Sequence, residues 1–185
     1  RLPCRAPREL RARAHSPRGA DPWLDKDHPD PLGETLRRIL PILRTCRDQA
    51  KQFGEHATFG VLWDYCSLPQ GAERTPEQLT RFAKGLRSIN EWYAHPYAPV
   101  LLVTTPLPTG AEYTNRRPYD ARGWCYFERR VSSLVKYHGM LWDLSLHEEG
   151  KAMDFGDCKR NLKSSRAPFM SPERVARELR AGVES

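Results

Sequence analysis

Apolar positions along this chain alternate between two spacings, one helical and one strand-like. Leu32, Leu36, Ile39, Leu40, Leu43, Cys46, Ala50 and Phe53 return every three or four residues and mark one face of a helix. Asp30 and Pro31 supply an N-cap and a first-turn residue for it, and Pro41 marks a kink. Residues 58–63 are apolar without alternation, which predicts a strand buried on both faces, as in a parallel sheet. That run ends in a polar loop, Asp64 to Gly71, where open α/β sheets place ligands.

Thr75, Pro76 and Gln78 form a capping box with proline at the first helical position. Leu79, Phe82, Leu86, Ile89 and Tyr93 continue that helix to about His95. Residues 99–105 give the clearest strand. A loop carrying Pro106, Pro108, Gly110 and Pro118 follows, and Asp120 reads as the N-cap of a helix with Trp124, Phe127, Val131, Leu134 and Val135 at helical spacing. Residues 139–145 predict a further strand, residues 146–171 are polar and irregular, and Ser171 opens a last helix carrying Val175 and Leu179. Alternating helices and apolar strands call for a parallel sheet flanked by helices.

The 185 residues suffice for one domain with a full core. The net charge of +7 sits at the ends: residues 1–20 carry +5 and residues 151–185 carry +3, leaving the middle close to neutral. This argues against a nucleic-acid-binding face on the domain itself. Residues 1–22 are expected as a basic, disordered arm and residues 147–185 as a loop-rich basic tail with a terminal helix. The chain opens on Arg1 rather than Met, as a fragment or excised region does. Five widely spaced cysteines without a C-x-x-C suit free thiols in a reducing, cytoplasmic setting and offer no zinc site. The longest apolar run, residues 98–103, is far too short to span a bilayer, and no signal-peptide pattern is present.

The candidate chemistry gathers at residues 119–128. Glu128 stands one turn after Trp124 and three residues after Cys125, placing a carboxylate beside a large aromatic ring near a helix start. There is no P-loop and no G-x-G-x-x-G, and Asp154-Phe155-Gly156 matches a kinase triplet without the motifs that accompany it.

The run Trp124-Cys125-x-x-Glu128, opening a helix after a strand-loop-helix-strand, resembles the TIR (Toll/interleukin-1 receptor) domain, especially its plant branch. Leu62-Trp63-Asp64 followed by Leu68-Pro69-Gln70-Gly71-Ala72-Glu73 looks like the second TIR strand and the loop after it. Trp63-Asp64-x-Cys66-x-x-x-Gln70 is also similar to the pattern of the TIR-like heterokaryon-incompatibility domains, with the cysteine one residue early. The resemblance covers residues 23–146. It implies a single three-layer α/β domain of flavodoxin type with a mostly parallel sheet. It also calls for a buried apolar first strand, which residues 1–22 do not supply, so the sheet is expected without it.

The resemblance implies a signalling or defence module in which Glu128 is the catalytic carboxylate of an NAD glycohydrolase, NAD being substrate rather than cofactor. A fixed carboxylate would oppose the oxocarbenium ion formed as the ribosyl–nicotinamide bond breaks. Its other reading is a helix-start carboxylate placed against the macrodipole. The substrate-binding candidates are Trp23, Asp64, Ser67, Gln70, Trp124 and Cys125. Trp124 is core or rim packing or a ligand platform. Asp64 is a pocket residue or a turn initiator. Ser67 and Gln70 contact phosphate or ribose, or close the turn. Trp23 and residues 27–30 cover the pocket or form a disordered entry. Cys125 at a helix start, with His95 or His138 as base, defines a third class, a cysteine hydrolase, against a plain buried thiol. A non-enzymatic TIR-like module that self-associates is the alternative to the enzyme.

Overall fold

The computed structural model describes residues 18–20, 23–25, 27–54, 56–71, 73–108, 113–166 and 170–183. The fold is mixed α/β, ordered by three short parallel strands: β1 (Arg18–Ala20), β2 (Val100–Leu102) and β3 (Leu141–Asp143). β2 lies between the other two, with Arg18 opposite Val100 and Val100 opposite Leu141. All three β2 residues are buried, because successive side chains point to opposite faces and both faces are covered. Val100 and Leu102 join Tyr93, Tyr119, Cys125 and Leu141 on one side. Leu101 and Val103 join Ile39, Ile42, Cys46, Trp63 and Trp142 on the other. Each buried Val or Leu contributes about 1.5–3 kcal/mol, so β2 anchors two apolar cores at once.

β1 corrects the expectation of a missing first strand. Its Arg-Gly-Ala sequence carries no apolar signal, yet its backbone pairs along the whole of β2. Edge pairing is made by main-chain groups, and a sequence reading based on side-chain burial does not see it. The rest of the proposed arm, residues 1–17 and 21–22, lies outside the described residues.

Residues 58–63 are not a strand of this sheet; within the run only Leu62 makes a bridge. Trp63 and the half-buried Phe59 pack into the core beside Ile39 and Ile42, while Thr58 and Gly60 stay exposed. The apolar run satisfies burial without joining the ladder.

Helix α1 (Glu34–Lys51) passes through Pro41 and starts after Gly33, which takes a left-handed φ of 68°. Asp30 is therefore not its N-cap residue by position, though its Oδ2 accepts the amide of Leu36, the third helical residue, at 2.8 Å. The buried stripe is Thr35, Ile39, Ile42, Cys46 and Ala50, and Leu32, Leu36 and Phe53 face solvent, a rotation of the expected face. After the single turn α2 (Asp64–Ser67), helix α3 (Pro76–Ala94) begins at the expected capping box, Thr75 and Gln78 bonding reciprocally. Gly85 of α3 lets Leu68 lie close: a β-carbon there would stand 2.3 Å from Leu68 Cδ2.

Helix α4 (Gly123–Val135) starts later than expected. Asp120 is not its cap but an exposed member of a preceding 3-10 turn (Tyr119–Ala121), paired with Arg129 at 2.7 Å. The buried face of α4 is Cys125, Ser132 and Ser133, whereas Trp124, Phe127, Leu134 and Val135 are exposed. Small side chains let α4 approach α3 closely, and Ser132 Oγ donates to the Tyr93 carbonyl at 3.5 Å. Of the expected apolar stripe only Val131 packs on the core; its other members face outward, and the buried seam is lined by small residues.

The tail is also corrected. Helix α5 (Phe155–Asn161) stands in the stretch expected to be irregular, and its capping box is Asp154 with Asp157. Asp154-Phe155-Gly156 is thus a helix start. Cys158 and Leu162 are fully buried in the core, and Lys163 bridges Trp142 beside β3. Helix α6 (Pro172–Val183) begins after Ser171 as expected, Ser171 Oγ accepting the Arg174 amide at 3.3 Å; the side chain of Leu179 lies outside the described residues. Among the described residues no helix is long and apolar enough to cross a membrane.

Candidate functional site

A cavity of about 500 Å³ opens between α3 and the start of α4. Phe82, Leu86 and Ile89 of α3 form its apolar wall, and Leu68 closes one side. Trp23, Asp64 and Gln70 line it from one direction, and Trp124, Cys125 and Glu128 from the other. Six of the seven sequence-derived site residues therefore converge. Ser67 does not line it: its Oγ accepts the Trp63 amide at 3.0 Å and closes the turn.

Among the described residues, Glu128 and Asp64 are the two carboxyl groups lining the cavity, and Glu128 is the more strongly perturbed. It sits half-buried one turn into α4, where burial first and the Asp64 charge second hold its carboxyl up at about 8. The Tyr93 hydroxyl hydrogen-bonds the carboxylate and opposes that rise. Asp64 is also raised, chiefly by burial, and is held by the Tyr65 amide at 2.7 Å and the Trp23 indole N–H at 3.3 Å. Two partly desolvated carboxyl groups in one cavity disfavour joint ionisation, and a cationic ligand would relieve that cost. Burial holds Tyr93 and Tyr119 well above the ordinary tyrosine range, so both remain neutral.

The remaining candidates resolve into distinct roles. Trp124 is 72% exposed and so lies at the rim rather than in the core, edge-on to Phe127 with ring centroids 6.0 Å apart. Gln70 lines the cavity, but its amide donates to the carbonyls of Tyr65 and Leu68, both at 3.0 Å, as a turn-closing residue does. Cys125 is 3% exposed, and neither His95 nor His138 lines the cavity, so the cysteine-hydrolase arrangement is not assembled. Of the segment expected to cover the pocket, Trp23 lines it, whereas Asp30 serves α1 and His28 packs on the Tyr65 ring at 4.5 Å.

Two residues that organise the site escaped the sequence reading. Tyr93 was read as a core position of α3, and its spacing gave no sign that its hydroxyl reaches Glu128. Arg122, only 8% exposed, donates to the carbonyls of Arg117 at 2.7 Å, Asn115 at 3.0 Å and Trp23. It thereby ties the Trp23 segment and residues 115–117 to the start of α4. A single arginine in a basic stretch carries no signal of that kind. Among the described residues there is no group of three or more His, Cys, Asp or Glu side chains able to hold a metal ion.

No protein-family model, no curated protein and no solved structure matches this chain.

Proposed function

We propose that the protein is a TIR-like glycohydrolase that cleaves the nicotinamide–ribose bond of NAD, as a signalling or defence module of the cytoplasm. In this reading the described elements belong to one three-layer domain of flavodoxin type. The observation that carries it is the meeting of Glu128 and Asp64 inside one aromatic-rimmed cavity large enough for a small ligand. A pyridinium ring is a delocalised cation, complementary both to two carboxyl groups and to the faces of Trp23 and Trp124.

In the reaction the C1′–N bond breaks and its electron pair leaves with neutral nicotinamide. The ribosyl fragment becomes an oxocarbenium ion, which the Glu128 carboxylate opposes in a water-poor site. Water then adds at C1′ and loses a proton, giving ADP-ribose. Glu128 must be ionised for this role, and the cationic substrate lowers its proton affinity on binding. The test is nicotinamide release from NAD by the purified protein and by Glu128→Ala; equal turnover by both removes Glu128 from the mechanism.

The second reading is a non-enzymatic TIR-like module that self-associates. The exposed Trp124 and Phe127, whose rings meet edge-on, favour it, since adjoining exposed apolar side chains mark contact surfaces. It expects concentration-dependent oligomers by sedimentation and no nicotinamide release.

A further inference from the structure

Two guanidinium groups, of Arg117 and Arg122, line the cavity together with the carboxyl groups of Asp64 and Glu128. The two arginines differ in what they bond. Arg122 is buried and donates through Nε and both terminal nitrogens to the carbonyls of Arg117, Trp23 and Asn115. Arg117 is held by its main chain: its amide donates to Asn115 Oδ1 at 3.3 Å, and its carbonyl accepts Arg122 Nε at 2.7 Å. Its guanidinium makes no ion pair or hydrogen bond among the described residues. We propose that Arg117 is a specificity-determining residue of this cavity, its guanidinium binding a phosphate group carried on the ribose of the ligand. It thereby selects nucleotides over nucleosides. The inference rests on the reading of the cavity as the site of a nicotinamide-bearing ligand.

Asp64 and Glu128 share the cavity with Arg117, yet neither pairs with it. The Asp64 carboxylate is held instead by the Tyr65 amide and the Trp23 indole. The wall therefore presents separate negative and positive groups, which suits a ligand that carries both charges. A nicotinamide ribotide has a pyridinium on C1′ and a phosphate on C5′, with the sugar between them. Its ring answers the carboxyl groups and its phosphate answers the guanidinium, whose planar fork of N–H donors matches phosphate oxygens. Arg122 also fixes the relation between the two poles. The same guanidinium bonds the carbonyls of Arg117 and Trp23, and the Trp23 indole holds Asp64. Neighbouring Arg116 is exposed and does not line the cavity, so it has the charge of Arg117 without the position.

Calorimetric titration of the full chain with two uncleavable probes tests this. The probes are carbocyclic nicotinamide mononucleotide and the same compound without its phosphate. With the ring oxygen replaced by carbon no oxocarbenium ion forms, so the titration reads binding alone. The phosphate is expected to raise affinity about tenfold in the unsubstituted protein. Arg117→Gln should abolish that ratio and leave the affinity for the unphosphorylated probe unchanged, whereas Arg116→Gln should keep the ratio. Added salt should lower the ratio in the unsubstituted protein but not in Arg117→Gln. The Arg117 side chain is exposed, so the variant keeps its fold, which a melting curve checks. A ratio that survives Arg117→Gln, a ratio lost equally in Arg116→Gln, or no binding of the phosphorylated probe overturns the inference. A ratio that depends on Arg117 in a protein releasing no nicotinamide from NAD supports the inference and removes only the enzymatic reading. Release that depends on Glu128, with both probes bound equally, does the reverse.

Discussion

The Arg122 guanidinium donates to the carbonyl of Trp23 across 99 residues of sequence, and the Trp23 indole in turn donates to Asp64. This pair joins the N-terminal segment to the start of α4 and aims one carboxylate of the cavity. The site is therefore held by a buried cation that need not touch substrate.

Arg122→Gln should loosen that clamp. The shorter neutral side chain cannot serve three carbonyls at once, and carbonyls left buried without a donor are costly. We expect a loss of about 2–4 kcal/mol in urea denaturation. A red-shifted tryptophan emission should accompany it as Trp23 gains solvent.

Glu128 should make stability fall with rising pH. Its folded value, about 8, lies above its ordinary 4.5, so the folded state binds the extra proton between these limits. The stabilisation is fully present below about 4.5 and is lost as pH rises through about 8. In Glu128→Gln the stability difference between pH 5 and pH 8.5 should shrink by about 4 kcal/mol. Thermal denaturation at the two pH values measures it, and an unaltered pH dependence counts against a carboxyl held out of water.

Leu162→Ala tests whether the tail belongs to the core. Leu162 is fully buried beside Cys158 and Trp142, and its carbonyl accepts the Asp143 amide at 2.7 Å. Truncation should cost about 2–5 kcal/mol, as for other buried leucines. A value below about 0.5 kcal/mol, normal for surface positions, would place residues 155–164 outside the folded unit.

Trp124→Ala separates binding from folding. With 72% exposure its loss should change stability by no more than about 0.5 kcal/mol. With NAD as the proposed substrate it should raise KM roughly tenfold, since a ring face at the cavity rim suits a pyridinium. Steady-state kinetics beside a melting curve decide this.

What the sequence could show followed from how each element is stabilised. The α3 capping box and the apolar β2 depend on local residue choice, and both stand where the pattern placed them. β1 depends on its neighbour: Arg18, Gly19 and Ala20 become a strand because β2 offers backbone partners. The face of α4 misled because Ser132 and Ser133 are buried for their size, while Trp124 and Phe127 remain exposed. Glu128, Asp64 and Trp23 were legible as cavity residues from motif and order. The Tyr93 hydroxyl and the Arg122 carbonyl bonds were not, since they depend on where packing brings segments together.

The most direct test is nicotinamide release from NAD by the purified protein and by Glu128→Gln between pH 6 and pH 9.5. The account predicts that kcat/KM of the unsubstituted protein rises with pH and levels off above about 8, as Glu128 ionises, and that Glu128→Gln releases none. Equal release by both proteins, or no release by either at any pH, would contradict it.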